Sequence, residues 1–312
     1  MRAIRVPETT GPDALEVVDA PEPADGVVFD VHAAGVSFPD LLLSRGEYQL
    51  KPDPPFTLGT EGAGVVRAAP ADSGFQPGDR VMAMGFGTFA DVAAGMPQMT
   101  FRLPGELSFA QGSGFVMNYH TAHFALVRRA ALREGETLLV QGAAGGVGTA
   151  AIQVGRALGA RVVAVVSSDE KEGVAREAGA QDVVRTDGEW PEADVVFDPV
   201  GGERLHASIR VLRPEGRLVV IGFTEGEIPS VKVNRLLFRN VAVVGAAWGE
   251  FALPRPDYAQ VVAADLERMI AEGHVRPVVG RRYAFAQAAE ALRDLEGRRA
   301  LGKLVLDVKE TA

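Results

Sequence analysis

The chain has 312 residues, with 36 Gly, 19 Pro and no Cys, and carries a formal net charge of −9. The missing Cys excludes disulfides, thiolate catalysis, iron–sulfur clusters and Cys-ligated zinc. An acidic chain without a Lys/Arg block has no electrostatic footprint for nucleic-acid backbones. The length predicts about two domains, each able to bury its own core. Residues 1–17 hold no continuous apolar stretch and are not read as a signal peptide. No apolar run approaches the roughly 18 residues of a spanning helix. A soluble cytoplasmic protein without a membrane partner is expected.

The first hundred residues read as short strands broken by turns. Residues 26–35 alternate as a strand with turn residues at both ends, residues 61–66 continue in that style, and residues 75–84 form a turn and a strand. Gly and Pro are dense, so this region is expected to be a β-rich, barrel-like domain. Near residue 108 the pattern changes. Residues 109–132 look helical, and from Thr137 strands alternate with helices. Strands are expected at 137–141, 161–166, 194–198, 217–222 and 241–245, with a further one just before Arg185. Helices are expected at 149–158, 169–178 and 202–212. Continuous apolar strands alternating with helices imply a parallel sheet covered on both faces. Amphipathic helices at 258–272 and 285–295 precede a last strand at 302–308. That strand most simply rejoins the first domain, which would insert the α/β unit into the β-rich one.

The strongest local signal is the turn from Val140 to Gly148, between a predicted strand and a predicted helix. Aligned on Ala143, Gly145 and Gly148, it is a dinucleotide fingerprint with its first Gly replaced by Ala. Gly145 lets the backbone approach a pyrophosphate, and Gly148 lets the helix pack on its strand. The helix N-terminus supplies N–H donors and partial positive charge, so Ala144, Gly145, Gly146, Val147 and Gly148 are the expected phosphate contacts. The alternative is a plain Gly-rich turn.

The end of the second strand selects the dinucleotide. NAD-type folds place Asp or Glu there for the ribose hydroxyls. Here Ser167 and Ser168 occupy that place, with Lys171 one turn into the next helix and Arg185 near a further strand. Hydroxyls and cations suit a phosphate, so NADPH is favoured over NADH. Ser167 with Glu170 also reads as a helix-capping box, and capping and phosphate binding can share the same chain end.

Three motifs together resemble a known family: residues 142–148, the Asp198 to Gly202 segment, and the stretch from Val36 through Asp40 to Tyr48. They are similar to the NADPH:quinone oxidoreductase (zeta-crystallin-like) branch of the medium-chain dehydrogenases/reductases, over residues 1 to 308. The resemblance implies an α/β protein: a GroES-like β-barrel domain at residues 1–113 plus 255–312, with a Rossmann doubly wound parallel-sheet domain inserted at 114–254. It further implies a cleft for nicotinamide and substrate, and a homodimer joined through the Rossmann sheet edge near residues 241–249. Zinc-dependent relatives carry a Gly-His-Glu motif where this chain reads Gly59-Thr60-Glu61, so a metal-free reductase is expected. His120 and His123, three apart on an apolar helix with no third ligand nearby in sequence, read as packing residues.

By the same resemblance Tyr48 is the expected catalytic residue, a phenol protonated at neutral pH; the alternative is a Tyr that lines the cleft by size. Ser37 stands where relatives usually carry Asn against the cofactor. Thr121, then Gly222, Phe223 and Thr224, then Ala246, Ala247 and Trp248 are further expected cofactor contacts. Phe38, Tyr119 and Trp248 could wall the cleft, though each alone reads as core. Lys303 follows Gly302 in a near-match to a P-loop, but it lacks the Ser/Thr and precedes a strand. A salt bridge or cleft contact is expected instead.

The expected activity is hydride transfer from NADPH to a quinone without a metal. The alternatives are an enone or enoyl-CoA reductase using Tyr48 as acid, and an NADPH-binding structural or sensor protein with little turnover.

Overall fold

Apolar, β-branched stretches in the first hundred residues pair into antiparallel sheet. In the computed structural model, which describes residues 1–309, the ten-residue strand Val27–Val36 is the hub. It pairs antiparallel with Glu61–Ala68, Val92–Gly95 and Lys303–Asp307. The sheet path runs Val279–Ala284, Lys303–Asp307, Val27–Val36, Glu61–Ala68, Arg80–Met84, Thr100–Arg102. A smaller sheet joins Glu16–Asp19, Arg2–Val6 and Phe56–Thr57. Phe29, Leu41, Leu58, Val81, Phe89 and Leu306 fill the core of this unit. Burying a side chain of that size contributes roughly 1.5–3 kcal/mol.

From Thr137 the chain builds a second sheet of six strands, all parallel. Its order is Asp182–Arg185, Arg161–Val166, Thr137–Val140, Ala193–Asp198, Leu212–Val220, Ala242–Gly245. Thr137–Val140 is buried at every residue, and Arg161–Val166 at all but its first, as a sheet covered on both faces requires. The order runs outward in both directions from the first-made strand, so this is a doubly wound α/β unit. Such a sheet binds ligands beyond the carboxyl ends of its strands, where the order reverses.

The chain divides into Met1–Met117 with everything from Val279 onward, and Asn118–Val278. The sequence reading placed the second boundary near 255, giving helix Pro256–Ala271 to the barrel. That helix belongs to the parallel-sheet unit, where Tyr258 meets Phe124 and Phe251 and Asp265 reaches His123. Its buried stripe of Ala259, Val262, Leu266 and Ile270 shows that it packs, but a stripe does not name its partner.

The expected helix over 109–132 is broken. Ser108 caps a single turn, Phe109–Gly112. Beyond it Val116–His120 and Phe124–Arg129 are wound as wider π turns on either side of Thr121–His123. Such widened turns appear often at functional sites. The sequence reading also missed helix Val233–Arg239, helix Trp248–Ala252 and strands Arg2–Val6 and Val279–Ala284.

Candidate functional site

Thr137–Val140 runs at its carboxyl end into the glycine turn. Helix Gly146–Ala157 begins there, with Gly145 as its N-cap in extended backbone. A Cβ at Gly148 would stand 2.2 Å from Gly142 O and 2.8 Å from Ala143 Cα. Only hydrogen fits, so the helix lies directly on the turn. A Cβ at Gly145 would meet nothing nearer than Gly142 O at 3.4 Å, and that side of the turn is open. Ala144 is buried beside it.

The Gly145 N–H donates to Gly142 O at 3.0 Å. The N–H groups of Gly146, Val147 and Gly148 lie in the first helical turn, which has no internal acceptor for them. With the positive helix end they form an anion cradle. The residues present therefore fit a dinucleotide's pyrophosphate. Asn118 backs the turn, its Nδ2 2.7 Å from where a Gly146 Cβ would be; nothing in the sequence spacing singled it out.

The neighbouring strand Arg161–Val166 ends on the same edge, because the two are parallel. Beyond it Lys171 Nζ donates to Ser167 Oγ at 3.1 Å. The cap of helix Asp169–Glu177 is Ser168, whose hydroxyl accepts from Lys171 N. The capping box expected at Ser167 is thus one residue out, because the helix begins at Asp169. The shift leaves Ser167 to Lys171. Arg185, which pairs with Val166 across the sheet, is held by Asp169 and by Glu172 at 3.0 Å. Two carboxylates therefore answer its charge.

The other half of the edge is made of loops. Asp198 closes Ala193–Asp198 and accepts from the N–H groups of Val200 and Gly201 at 2.8 and 3.0 Å. Burial raises its carboxyl above the ordinary Asp range, against those two N–H groups. The next loop lies on this one: Thr224 N–H donates to Pro199 O, and a Cβ at Gly201 would meet the Phe223 ring. Gly222, Phe223 and Thr224 are all half-buried. Past the last strand, Ala246 N–H donates to Val220 O, Ala247 is exposed and Trp248 is buried against His120 and Phe124. Trp248 Nε1 is buried without a hydrogen-bond partner. Tyr119 is core: its hydroxyl donates to Gln153 Oε1 at 2.9 Å, and burial raises its pKa. Thr121 is half-buried in the segment of widened turns. His123 is buried with Nε2 3.3 Å from Asp265, and burial lowers its pKa.

The first unit holds a buried charged cluster of its own. Ser37 begins helix Phe38–Ser44, and its N–H donates to Asp40 Oδ2 at 2.8 Å. Its Oγ donates to Glu61 Oε1 at 2.8 Å and accepts from Lys303 Nζ at 2.6 Å. Lys303 Nζ also donates to Glu61 Oε1, and Glu61 Oε2 accepts the Met117 N–H at 3.1 Å. Lys303, Glu61, Ser37 and Asp40 are all buried. Burial pushes the Asp40 carboxyl up to about 7, opposed by the Ser37 N–H and the Lys303 charge. Thr60 stands beside Asp40 without a well-formed hydrogen bond. Asp40 was missed as a site residue, although a Ser followed three places later by Asp is a helix-start signal. Phe38 and Tyr48 are half-buried and pack on the apolar core of this unit.

Among the described residues, no three His, Cys, Asp or Glu side chains gather as a metal-binding group. No helix among them is long and apolar enough to cross a membrane.

An antiparallel unit closed by a C-terminal strand, with a doubly wound unit and its anion cradle inserted, is the architecture of the medium-chain dehydrogenases/reductases. Family models agree: residues 23–131 match an alcohol dehydrogenase GroES-like domain and residues 146–267 a zinc-binding dehydrogenase. Quinone oxidoreductase-like protein 2 of Bos taurus is 34% identical over 94% of this chain and 88% of its own. A probable oxidoreductase from Mycobacterium abscessus is 43% identical, with a TM-score of 0.89 and 98% of both chains covered. The quinone oxidoreductase of Thermus thermophilus, solved also as its complex with NADPH, is 35% identical, with a TM-score of 0.85 and coverage of 98% and 100%. The chain belongs to the quinone oxidoreductase family within that superfamily.

Proposed function

We propose that this protein is an oxidoreductase that reduces quinones with NADPH and without a metal. The observation that carries the cofactor choice is the Lys171–Ser167 pair at the end of Arg161–Val166, on the same sheet edge as the glycine turn. A cation and two hydroxyls suit a 2′-phosphate, whereas a carboxylate there would suit free ribose hydroxyls. In this reading the N–H groups of Gly146, Val147 and Gly148 hold the pyrophosphate beside Ala144 and Gly145. Ser167, Ser168 and Lys171 hold the 2′-phosphate, and Arg185 keeps the strand end in place through its carboxylate partners. Thr121, Gly222 to Thr224 and Ala246 to Trp248 line the same crevice. In the first unit, Tyr48 is the proposed acid and Ser37 a proposed cofactor contact. When bound, NADPH supplies a hydride. A quinone needs no metal to polarise it, because conjugation spreads the charge that arrives.

The experiment is NADPH consumption over a panel of quinones, enones and enoyl thioesters, repeated with NADH. Turnover confined to quinones, with NADPH strongly preferred, is expected. Turnover only with activated C=C acceptors, abolished in Tyr48→Phe, would replace the quinone reading by an enone reductase. Binding of NADPH without oxidation by any acceptor would point to a sensor. Equal rates with NADH would remove the role of Lys171.

A homodimer through the sheet edge belongs to the same proposal. Beside the edge strand Ala242–Gly245 the chain exposes Ile228, Val233, Leu237 and Phe238, each at 70% or more. Contiguous exposed apolar groups of this size mark interaction surfaces. Phe238→Glu is expected to shift the species seen by light scattering from dimer to monomer, and a monomeric parent would reject it. The cytoplasm is the proposed location, tested by cell fractionation.

A further inference from the structure

Asp198 closes the strand Ala193–Asp198 and is fully buried, and its two carboxyl oxygens are served unequally. Oδ1 accepts the N–H groups of Val200 and Gly201. Oδ2 is buried and receives no hydrogen bond. An ionised carboxylate only accepts, so a buried oxygen without a donor is costly, whereas a protonated carboxyl is neutral there. The charges around it are opposed. Glu225, in the loop after Leu212–Val220, works against ionisation, and Arg204, at the start of helix Arg204–Val211, favours it. Arg204 Nη2 stands 3.8 Å from Glu225 Oε1, so its charge is shared with that carboxylate.

This carboxyl also sits where two loops meet. Through Oδ1 it shapes the turn 199–202, in which Gly201 and Gly202 have φ of 71° and 59°. The loop 222–227 lies on that turn. The Thr224 and Glu225 N–H groups donate to Pro199 O and Val200 O at 3.1 and 3.0 Å, and the Gly202 N–H donates to Glu227 O at 3.3 Å. A Cβ at Gly202 would stand 2.1 Å from Glu225 Oε2, so the Glu225 carboxylate lies against the backbone of the turn. The same turn supports the anion cradle: a Cβ at Gly142 would meet Pro199 Cγ at 3.3 Å and Val200 Cγ2 at 3.4 Å. Gly142 O in turn accepts the Gly145 N–H.

Resting on the NADPH reading above, we propose that Asp198 is a positioning residue whose proton latches the loops 199–202 and 222–227 against the glycine turn, so that NADPH binds more weakly once the proton is lost. With the proton on, Oδ2 is neutral near Glu225 and the loops stay docked. Burial, and after it the Glu225 charge, hold that proton above the ordinary Asp range. When the proton leaves for solvent, two carboxylates remain at one turn, and like charges there repel. The relief open to them is for the loop that carries Glu225 to lift away. The turn 199–202 then loses its cover, and Gly142 loses its backing. The latch is whole below the ordinary Asp value of about 4 and is lost as pH rises through the raised native value.

The test uses the whole chain and compares wild type with Asp198→Asn and Glu225→Gln. Asn keeps an oxygen for the Val200 and Gly201 N–H groups but has no proton to lose. In fluorescence titrations at about pH 6 and about pH 9, wild type should lose about tenfold more NADPH affinity than Asp198→Asn, one pKa unit of linkage. Comparing the two proteins cancels the titration of the cofactor's own phosphate. Glu225→Gln removes the opposing carboxylate, so the midpoint of the fall should move to lower pH. A residue that only packs would change affinity equally at both pH values.

Amide hydrogen exchange reads the latch without a cofactor. In the free protein, protection of the Thr224 and Glu225 amides should fall about tenfold over the same range in wild type and hold in Asp198→Asn. Should Asp198→Asn fail to fold, the midpoint in Glu225→Gln carries the test. Parallel affinity profiles in wild type and Asp198→Asn, equal protection, or an unmoved midpoint in Glu225→Gln would overturn the latch. Loops that loosen with pH in a protein that binds no NADPH would overturn the NADPH reading and leave the loop latch standing.

Discussion

The glycine turn of the parallel-sheet unit and the cluster around Glu61 in the barrel both handle charge, by opposite means. The turn holds none of its own. It removes side chains at Gly145, Gly146 and Gly148 and leaves backbone N–H groups for an anion. The cluster buries its ionisable side chains and lets them answer one another through Lys303, Glu61 and Ser37. A neutral cradle waits for its counter-charge from outside, whereas a filled cluster carries its own. Mutations in the turn should therefore tell chiefly on ligand affinity, and mutations in the cluster chiefly on folding and pH response.

The sharpest break in that contrast is Lys303→Met alone, which leaves Glu61 buried without its cation. It should cost about 3–5 kcal/mol in urea unfolding, and adding Glu61→Gln should recover most of it. Next comes Asp40. Its native carboxyl holds a proton that the unfolded chain releases, so the contribution of Asp40 to stability is fully present below about pH 4 and is lost as pH rises to about 7. Asp40→Asn should remove that slope, a difference on the order of 3 kcal/mol across the window in denaturation at its two ends. In the turn, Gly148→Ala should cost about 2 kcal/mol through a forced backbone shift, with NADPH binding lost alongside. Gly145→Ala, on the open side, should stay within about 0.5 kcal/mol in stability and still weaken NADPH in a fluorescence titration. Lys171→Ala is the smallest effect: NADPH should bind about tenfold more weakly, roughly 1.4 kcal/mol, with NADH unchanged. Should the Gly145 and Lys171 variants destabilise the fold instead, the contrast fails.

The sequence shows these two regions unequally, for a physical reason. The glycine turn is local: strand, glycines and helix are contiguous, and their spacing is the site. The strands from Thr137 onward were legible for the same reason, being short apolar runs between helices. The Glu61 cluster draws on residues 37, 61 and 303, which no local pattern joins. Lys303 could be read as a salt-bridging residue, but its partner could not. The second unit boundary slipped by about a helix, because Pro256–Ala271 shows an apolar stripe without stating what covers it. The broken 109–132 segment was missed since widened turns keep a helical composition. Arg185 was expected to add charge at the phosphate, and only the fold shows Asp169 and Glu172 holding it.

The pairing of Lys303–Asp307 with Val27–Val36 sets an order of events during synthesis. The barrel's first 117 residues leave the ribosome without the strand that lies beside their longest one. At synthesis rates of roughly 5–20 residues per second, that wait lasts through the making of the whole parallel-sheet unit. Until it ends, Glu61 has no ammonium to face, and the edge of Val27–Val36 stays open to any strand that finds it. The nascent chain therefore has most reason to recruit a chaperone at its oldest part, not its newest.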